Sequence, residues 1–244
     1  RKEAEKKSNR IAAEGVVHYF SNKSKSLLIE INSETDFVAK GDDFLNYVQK
    51  TCEIIVNQPC LNLLELTESN QHEIKTELED LRKNYVTKLG ENIQIRRFEV
   101  IDKENNSVAG YTHNNKIGAM VILKSSDEQL SKDICMQIVA SSPLALDEKS
   151  IDSKILDNER EVYKAELKKI DKKDDIKRNI LEGKIKKFIS ENTLLNQPFI
   201  KDGSLTLNNI LKDNKILSYT RYQLGEGIDK KQEDFAQEVY SQIK

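Results

Sequence analysis

The sequence has few cysteines, and their arrangement excludes the commonest structural uses of this residue. Cys52, Cys60 and Cys135 are odd in number and lack the Cys-X-X-Cys spacing of a zinc or redox motif. A disulfide framework is therefore not predicted, and the composition is typical of a reducing compartment. We expect a cytoplasmic protein, with an organelle matrix as the alternative.

Long apolar runs are absent, and neither sign of charge is in excess. No stretch approaches the roughly 18 apolar residues of a membrane-spanning helix, so no membrane partner is expected. Lys and Arg total 39 against 41 for Asp and Glu, a net charge of −2 that gives no field for attracting a phosphate backbone. Nucleic acid is therefore not an expected partner. With 37% hydrophobic residues, the 244-residue chain can still form a substantial core.

Residues that could perform catalysis do not cluster in the sequence. His18, His72 and His113 fall in separate predicted elements, and none belongs to an HxxxH or His/Cys pair. No metal and no cofactor is therefore predicted. Gly225-Glu226-Gly227 lacks the lysine of a P-loop, and we interpret it as a structural turn. These features predict a protein that is not an enzyme.

Two adjacent arginines, Arg96 and Arg97, could in principle bind phosphate. They fall in a strand predicted over 92–101, which would place one arginine on each face. Glu91 and Glu99 are close in sequence. The simpler interpretation is a strand whose charges are paired.

What the sequence does contain is an internal repeat of strand, turn, strand and helix. The segment 16–29 aligns with 109–122 at a constant offset of 93 residues, whereas the helix starts at 42 and 127 differ by 85. The first copy therefore carries eight extra residues between its second strand and its helix. A weaker third copy is 218–224, followed by a predicted helix over 232–243.

Two further helical patterns complete the predicted fold. Apolar residues at intervals of three or four predict a helix over 72–89, ended by Gly90. Narrow apolar stripes on either side of a polar break at 171–175 predict two antiparallel helices over 152–189. The fold class is thus α+β, with two related antiparallel-sheet-plus-helices subdomains and a protruding antiparallel coiled-coil hairpin.

The predicted subdomains follow the chain in a simple order. The N-subdomain of the core covers 9–101 and the C-subdomain begins at 102–151. The coiled-coil hairpin is an insertion over 152–189. Residues 190–244 then complete the C-subdomain and add a C-terminal helix.

The eight extra residues fall in the stretch 30-EINSETDFVAKGDDF-44, which places Phe37 in a polar strand-end loop. One interpretation is that Thr35 or Asp36 caps a helix while Phe37 packs on Phe44 or Tyr47 as a hydrophobic staple. The other is that Thr35-Asp36-Phe37-Val38 inserts an aromatic anchor into a partner. The shorter second copy shows that the fold does not require the insertion.

The segments 34-ETDFVAK-40 and 89-LGENIQIRR-97, together with further segments along the chain, resemble the bacterial-type elongation factor Ts family. The similarity extends in family order over nearly the whole chain, and the TDFV and LGENI motifs together are highly specific. The segments that carry it are 9-NRIAAEGVV-17, 34-ETDFVAK-40, 89-LGENIQIRR-97, 111-YTHNNKIG-118, 134-ICMQIVASSP-143, 182-EGKIKKF-188, 197-QPF-199 and 224-LGEGIDKKQEDFAQEV-239.

The resemblance implies a guanine nucleotide exchange factor for elongation factor Tu. In the family, the segment that corresponds to Thr35, Asp36, Phe37 and Val38 contacts the partner's GTPase domain. Its phenylalanine inserts between partner side chains near the nucleotide and disturbs the Mg²⁺ and phosphate contacts. The implied interaction is one of binding and not of covalent chemistry.

Other expectations also follow from the resemblance. Ile117, Gly118 and Gln137 fall where family members touch the partner, although some relatives have His at the position of Gln137. Residues 1–8 correspond to the linker that leaves an N-terminal ubiquitin-associated-like helical module.

The sequence leaves two matters open. The factor could work as a monomer, as a homodimer or in a two-plus-two complex with its partner. A scaffold that recruits another protein through the hairpin at 152–189 is the alternative function.

Overall fold

The computed structural model describes residues 7–59, 62–68, 72–104 and 106–228. These residues form two three-stranded antiparallel sheets, each covered by helices, a further two-stranded antiparallel sheet, and a pair of antiparallel helices. The predicted α+β class is confirmed. The helix predicted over 232–243 and most of the linker predicted over 1–8 lie outside the described residues.

The first sheet has the strand order β1-β2-β3, and β2 is its centre. β2 is buried along almost its entire length because both of its faces are covered. Leu27, Ile29 and Ile31 point into a core shared with the helices, whereas Leu28 faces the second sheet. The elements of this half are β1 (Glu14–Ser21), β2 (Lys25–Ser33), α1 (Asp36–Lys40), α2 (Asp42–Val56), α3 (Leu63–Glu68), α4 (His72–Leu89) and β3 (Gln94–Asp102).

The second sheet has the strand order β4-β5-β8 and packs on helix α5. Val121 and Leu123 of β5 share a core with Ile134 and Ile138 of α5. The elements of this half are β4 (Ser107–His113), β5 (Ile117–Leu123), α5 (Glu128–Ser141), α6 (Ser153–Lys168), α7 (Asp174–Asn192), β6 (Pro198–Phe199), β7 (Asp202–Thr206), α8 (Leu207–Leu211) and β8 (Ile216–Gln223).

The internal repeat is confirmed by the structure. β1 and β2 correspond to β4 and β5, and α2 corresponds to α5. The extra residues of the first copy contain a short helix, α1, which agrees with the interpretation in which Thr35 or Asp36 caps a helix. Periodicity could not decide between the two interpretations of this segment, because five residues are too few to show a 3.6-residue repeat.

The two sheets pack closely against each other. Val17 and Leu28 of the first sheet meet Met120 of the second in a buried cluster. Gly118 allows this approach, because a Cβ atom there would lie 2.7 Å from Val17 Cγ1 and 2.9 Å from Leu28 Cδ1. The turn between β4 and β5 also docks on β1, since Val17 N donates to Asn115 O at 2.8 Å.

The helices α6 and α7 lie side by side as an antiparallel pair. Arg160 contacts Glu182 at 2.8 Å and Lys184 contacts Glu166 at 2.5 Å across the pair. The apolar contacts of α7 include Leu181, Ile185 and Ile189, whereas Ile176 is exposed. Among the described residues, no helix is long and apolar enough to cross a membrane.

Candidate functional site

Phe37 is the most exposed large apolar side chain in the described part of the chain. It lies on α1, and 85% of its surface is accessible. Val38 and Ala39, which follow it, face the core instead. The short helix therefore attaches to the protein by one side and presents the aromatic ring on the other.

The predicted staple is wrong, although the predicted cap is confirmed. Phe44 and Tyr47 are fully buried and pack against each other at a centroid distance of 6.4 Å, while Phe37 stays in solvent. Thr35 is the N-cap of α1, and its Oγ1 accepts from Val38 N at 3.3 Å. Among the described residues, Phe37 therefore does not act as a staple on Phe44 or Tyr47.

A carboxylate from a distant segment holds the start of α1. Glu91 Oε2 accepts from Glu34 N at 3.1 Å and from Thr35 N at 3.0 Å. Glu91 Oε1 accepts from Thr35 Oγ1 at 2.5 Å. Three donors that precede the helix are therefore satisfied by one side chain.

The reverse contact also exists. Glu34 Oε1 accepts from Asn92 N at 2.7 Å, and Asn92 is fully buried. Asn92 Nδ2 in turn donates to Arg10 O at 2.8 Å. The segments that contain Glu34 and Glu91 are consequently bonded to each other in both directions and to the chain before β1.

The charged residues of α1 pair within the helix. Asp36 and Lys40 are one turn apart, with Lys40 Nζ 2.6 Å from Asp36 Oδ2. The hydrogen bond from Lys40 lowers the pKa of Asp36, and the charge of Lys116 lowers it further. Lys116, in the turn between β4 and β5, also pairs with Glu14 of β1 at 3.0 Å, and α1 contacts β1, so this turn and α1 lie on the same side of the molecule.

The structure places Ile117 and Gly118 at the start of β5. Ile117 is partly buried against the second core, and together with Lys116 and Glu14 it lines a small pocket of about 260 Å³. Gly118 is buried between the two sheets. Of this pair, only Ile117 has surface to offer to a partner.

Gln137, which the resemblance places where family members touch the partner, is buried with an exposure of 1%. Its Oε1 accepts from Ile200 N at 2.8 Å, and its Nε2 donates to Pro198 O at 3.2 Å. The side chain fixes the segment around β6 against α5 and does not face solvent.

The partners predicted for Arg96 and Arg97 are also corrected. Both arginines contact the buried Glu30, at 2.9 Å and 2.7 Å respectively. A bulge between Glu30 and Ile31 shifts the register, so adjacent arginines reach the same carboxylate instead of opposite faces. The prediction of a charge-paired strand is right, but Glu91 and Glu99 are not the partners of these arginines.

The turn at 225–227 completes this buried cluster. Gly225 N donates to Glu30 Oε1 at 2.9 Å, and Gly225 has a φ of +70°. A Cβ atom on Gly225 would lie 2.7 Å from Ala13 O. The structural interpretation of this glycine turn is confirmed.

Comparison with known proteins identifies the family. The family model described as Elongation factor TS matches residues 34–226. The chain belongs to the elongation factor Ts family. The match begins at Glu34, which accepts a hydrogen bond from Asn92 N, and ends at Glu226, within the glycine turn that bonds to Glu30.

Several proteins named Elongation factor Ts are similar to the chain over 99% of its length. One from Thioalkalivibrio sulfidiphilus is 38% identical over 246 residues, which cover 83% of that protein. One from Alkalilimnicola ehrlichii is 38% identical over 247 residues, and one from Methylococcus capsulatus is 36% identical over 245 residues, each with the same coverage.

Membership of the elongation factor Ts family implies a translation elongation factor that promotes nucleotide exchange on elongation factor Tu. Among the described residues, no three His, Cys, Asp or Glu side chains are grouped as a metal site. In the sequence, the segments 34–40 and 89–97 are two separate motifs of the elongation factor Ts family. The structure brings them together and adds Glu91 as a contact that sequence reasoning missed.

Proposed function

We propose that the chain promotes release of GDP from elongation factor Tu by inserting the ring of Phe37 next to the nucleotide site. The observation that carries this proposal is the 85% exposure of Phe37 on a helix whose other side is fixed to the core. An exposed aromatic ring on a rigid element is suited to anchor an interface. The insertion would disturb the contacts that the partner makes with Mg²⁺ and phosphate.

The roles of the neighbouring residues follow from their contacts. Thr35 caps the helix and is held by Glu91, whereas Val38 packs against the core. Asp36 is bonded to Lys40, so its carboxylate has a defined position beside the ring. We assign orientation of the ring to Thr35 and Val38, and a polar contact at the edge of the interface to Asp36.

The energetics show that one ring is not sufficient. Nucleotide exchange requires that the factor and GDP weaken each other's binding, and this coupling is reciprocal. A weakening of about 1,000-fold corresponds to about 4 kcal/mol. Burial of one aromatic ring contributes roughly 1.5–3 kcal/mol. The remainder has to come from the rest of the interface, for which the turn at 113–117 is suitably placed on the same side as α1.

The proposal is tested by measuring the coupling itself. Calorimetry would give the affinity of the chain for elongation factor Tu with GDP bound and without nucleotide. We expect much weaker binding to the GDP-bound form, and a smaller difference for Phe37→Ala. Equal affinities for both forms with the wild-type chain would contradict an exchange function.

The proposed location, the cytoplasm, follows from this partner, because translation takes place there.

A scaffold function is the second candidate. It is favoured by the exposed apolar side chains of the helix pair and its connecting turn, namely Val162, Ile170 and Ile176. A chain in which residues 157–188 are replaced by a short linker would separate the two functions. Retention of exchange activity would assign the helix pair to another partner, and loss of exchange in a folded chain would assign it to elongation factor Tu.

A further inference from the structure

We propose that Glu91 is a positioning residue for exchange, which acts by holding α1 in the orientation that presents Phe37. This inference rests on the proposed role of Phe37. It concerns a residue outside the helix, separated from Thr35 by 56 positions in the sequence.

The first reason is that α1 cannot hold its own shape. It has five residues, and isolated helices of this length are unstable because nucleation costs more than the few hydrogen bonds return. The donors at its start have no partner within the helix. A negative group at this end stabilises such a helix, since it accepts hydrogen bonds from the unpaired donors and interacts favourably with the helix dipole.

The second reason is that the carboxylate of Glu91 is this negative group and accepts three hydrogen bonds at the start of α1. Its two oxygens accept from Glu34 N, Thr35 N and Thr35 Oγ1 at 3.1, 3.0 and 2.5 Å. Phe37 lies two residues beyond Thr35, so the direction of its side chain depends on where Thr35 is fixed. A shift at Thr35 would therefore change the direction of the ring relative to the side of α1 that packs on the core.

The third reason is that Glu91 itself is rigidly mounted. Gly90, with a φ of +80°, ends α4 and turns the chain back toward α1. Asn92 is fully buried and bonded to Arg10 O and to Glu34 Oε1. Glu91 is therefore held between a helix end and a buried asparagine, which is the support that a positioning group needs.

The hydrogen bonds from Thr35 to Glu91 lie at the surface. Their loss should therefore affect the orientation of α1 more than the stability of the fold. Water can satisfy the exposed donors of Thr35 when the carboxylate is removed. Loss of Glu91 is therefore expected to loosen α1 without unfolding the chain. This difference makes the role testable.

The test uses Glu91→Leu, which has similar volume but no acceptor, and Glu91→Gln, whose amide oxygen can still accept. We expect Glu91→Leu to lower the rate of GDP-analogue release from elongation factor Tu at saturating factor by roughly tenfold, as for loss of a charged hydrogen bond. Glu91→Gln should restore most of the rate. Glu79→Leu is the matched control, because Glu79 pairs with Arg82 on α4 and is expected to leave the rate unchanged.

A double-mutant cycle decides whether Glu91 acts through the ring. If it does, Glu91→Leu has no further effect in the Phe37→Ala background. An equal effect in both backgrounds would overturn the positioning role. A full rate with Glu91→Leu, alongside a defective Phe37→Ala, would also overturn it while leaving the proposed function intact. A full rate with Phe37→Ala would overturn both.

An independent measurement needs no partner. Hydrogen exchange of the backbone amides in 34–40 should accelerate in Glu91→Leu, while exchange in the strands of the first sheet stays as in wild type. Unchanged protection of 34–40 would show that Glu91 does not fix the helix and would overturn the inference.

Discussion

At the scale of single residues, the buried charge of Glu30 is the feature with the largest expected consequence. Its carboxylate is fully buried and accepts from Arg96, Arg97 and Gly225 N. We expect Glu30→Ala to lower the free energy of unfolding by about 3–5 kcal/mol, because both arginines lose their buried partner. Denaturant unfolding measures this change.

The control for Glu30 is the neighbouring Glu226, which contacts Arg97 at 3.2 Å with half of its side chain exposed. A surface pair of this kind contributes about 1 kcal/mol or less. Glu226→Ala should therefore have little effect. A similar decrease in the free energy of unfolding for the two variants would show that burial of Glu30 does not determine the strength of its ion pairs.

His18 gives the fold a dependence on pH. Burial lowers the pKa of His18 below its usual value of 6.5. The folded state therefore resists protonation, and stability decreases as the pH falls through 6.5 toward the lower pKa of the folded state. We expect His18→Gln to flatten this part of the profile of unfolding free energy against pH. An identical slope in the variant would exclude His18 as the cause.

At the scale of elements, two glycines are expected to respond in opposite ways to the same substitution. Gly90 ends α4 with a φ of +80°, where an alanine costs about 1–2 kcal/mol. Gly183 lies inside α7 with open space around its Cα, so alanine there stabilises by about 0.5–1 kcal/mol.

Thermal unfolding distinguishes the two variants. For a chain of this size, 1 kcal/mol corresponds to a shift of the midpoint of roughly 2–4 °C. Gly90→Ala should lower the midpoint and Gly183→Ala should raise it. If both substitutions shifted the midpoint in the same direction, the positive φ of Gly90 would not explain the effect of its substitution.

The elements also show how far the sequence can be interpreted alone. The helix His72–Leu89 and the strand pairs of the repeat were predictable, because each has a long periodic pattern and a clear turn or glycine end. α1 could not be predicted in the same way, since five residues give no periodic pattern and Glu91, which bonds to its start, is far away in sequence. The bulge at Glu30 was not predictable either, because it depends on register, and this placed Arg96 and Arg97 on the wrong faces.

The candidate site was predictable only in part. The TDFV motif directed attention to Phe37, and its exposure agrees with an anchor. The contribution of Glu91 and the burial of Gln137 depend on contacts between segments that are far apart in sequence. Such contacts leave no local pattern, so only a structure reveals them.

At the scale of the whole molecule, the two sheets depend on small residues for their contact. A side chain at Gly118 would meet Val17 and Leu28 at under 3.0 Å. We expect Gly118→Val to lower the free energy of unfolding by about 1–3 kcal/mol through overpacking. Gly203→Ala, at a position with nothing within 4 Å, is the matched control for loss of a glycine. Equal stability of Gly118→Val and wild type would contradict the close approach of the sheets.

The proposed function depends on Phe37 as the residue that drives release of GDP. Stopped-flow release of a fluorescent GDP analogue from elongation factor Tu measures this role, with the wild-type chain, Phe37→Ala and Leu64→Ala, a control at another exposed apolar side chain. We expect strong acceleration by wild type and Leu64→Ala, and at least roughly tenfold less by Phe37→Ala, as for loss of an interface hot spot. Equal acceleration by Phe37→Ala and wild type would contradict it.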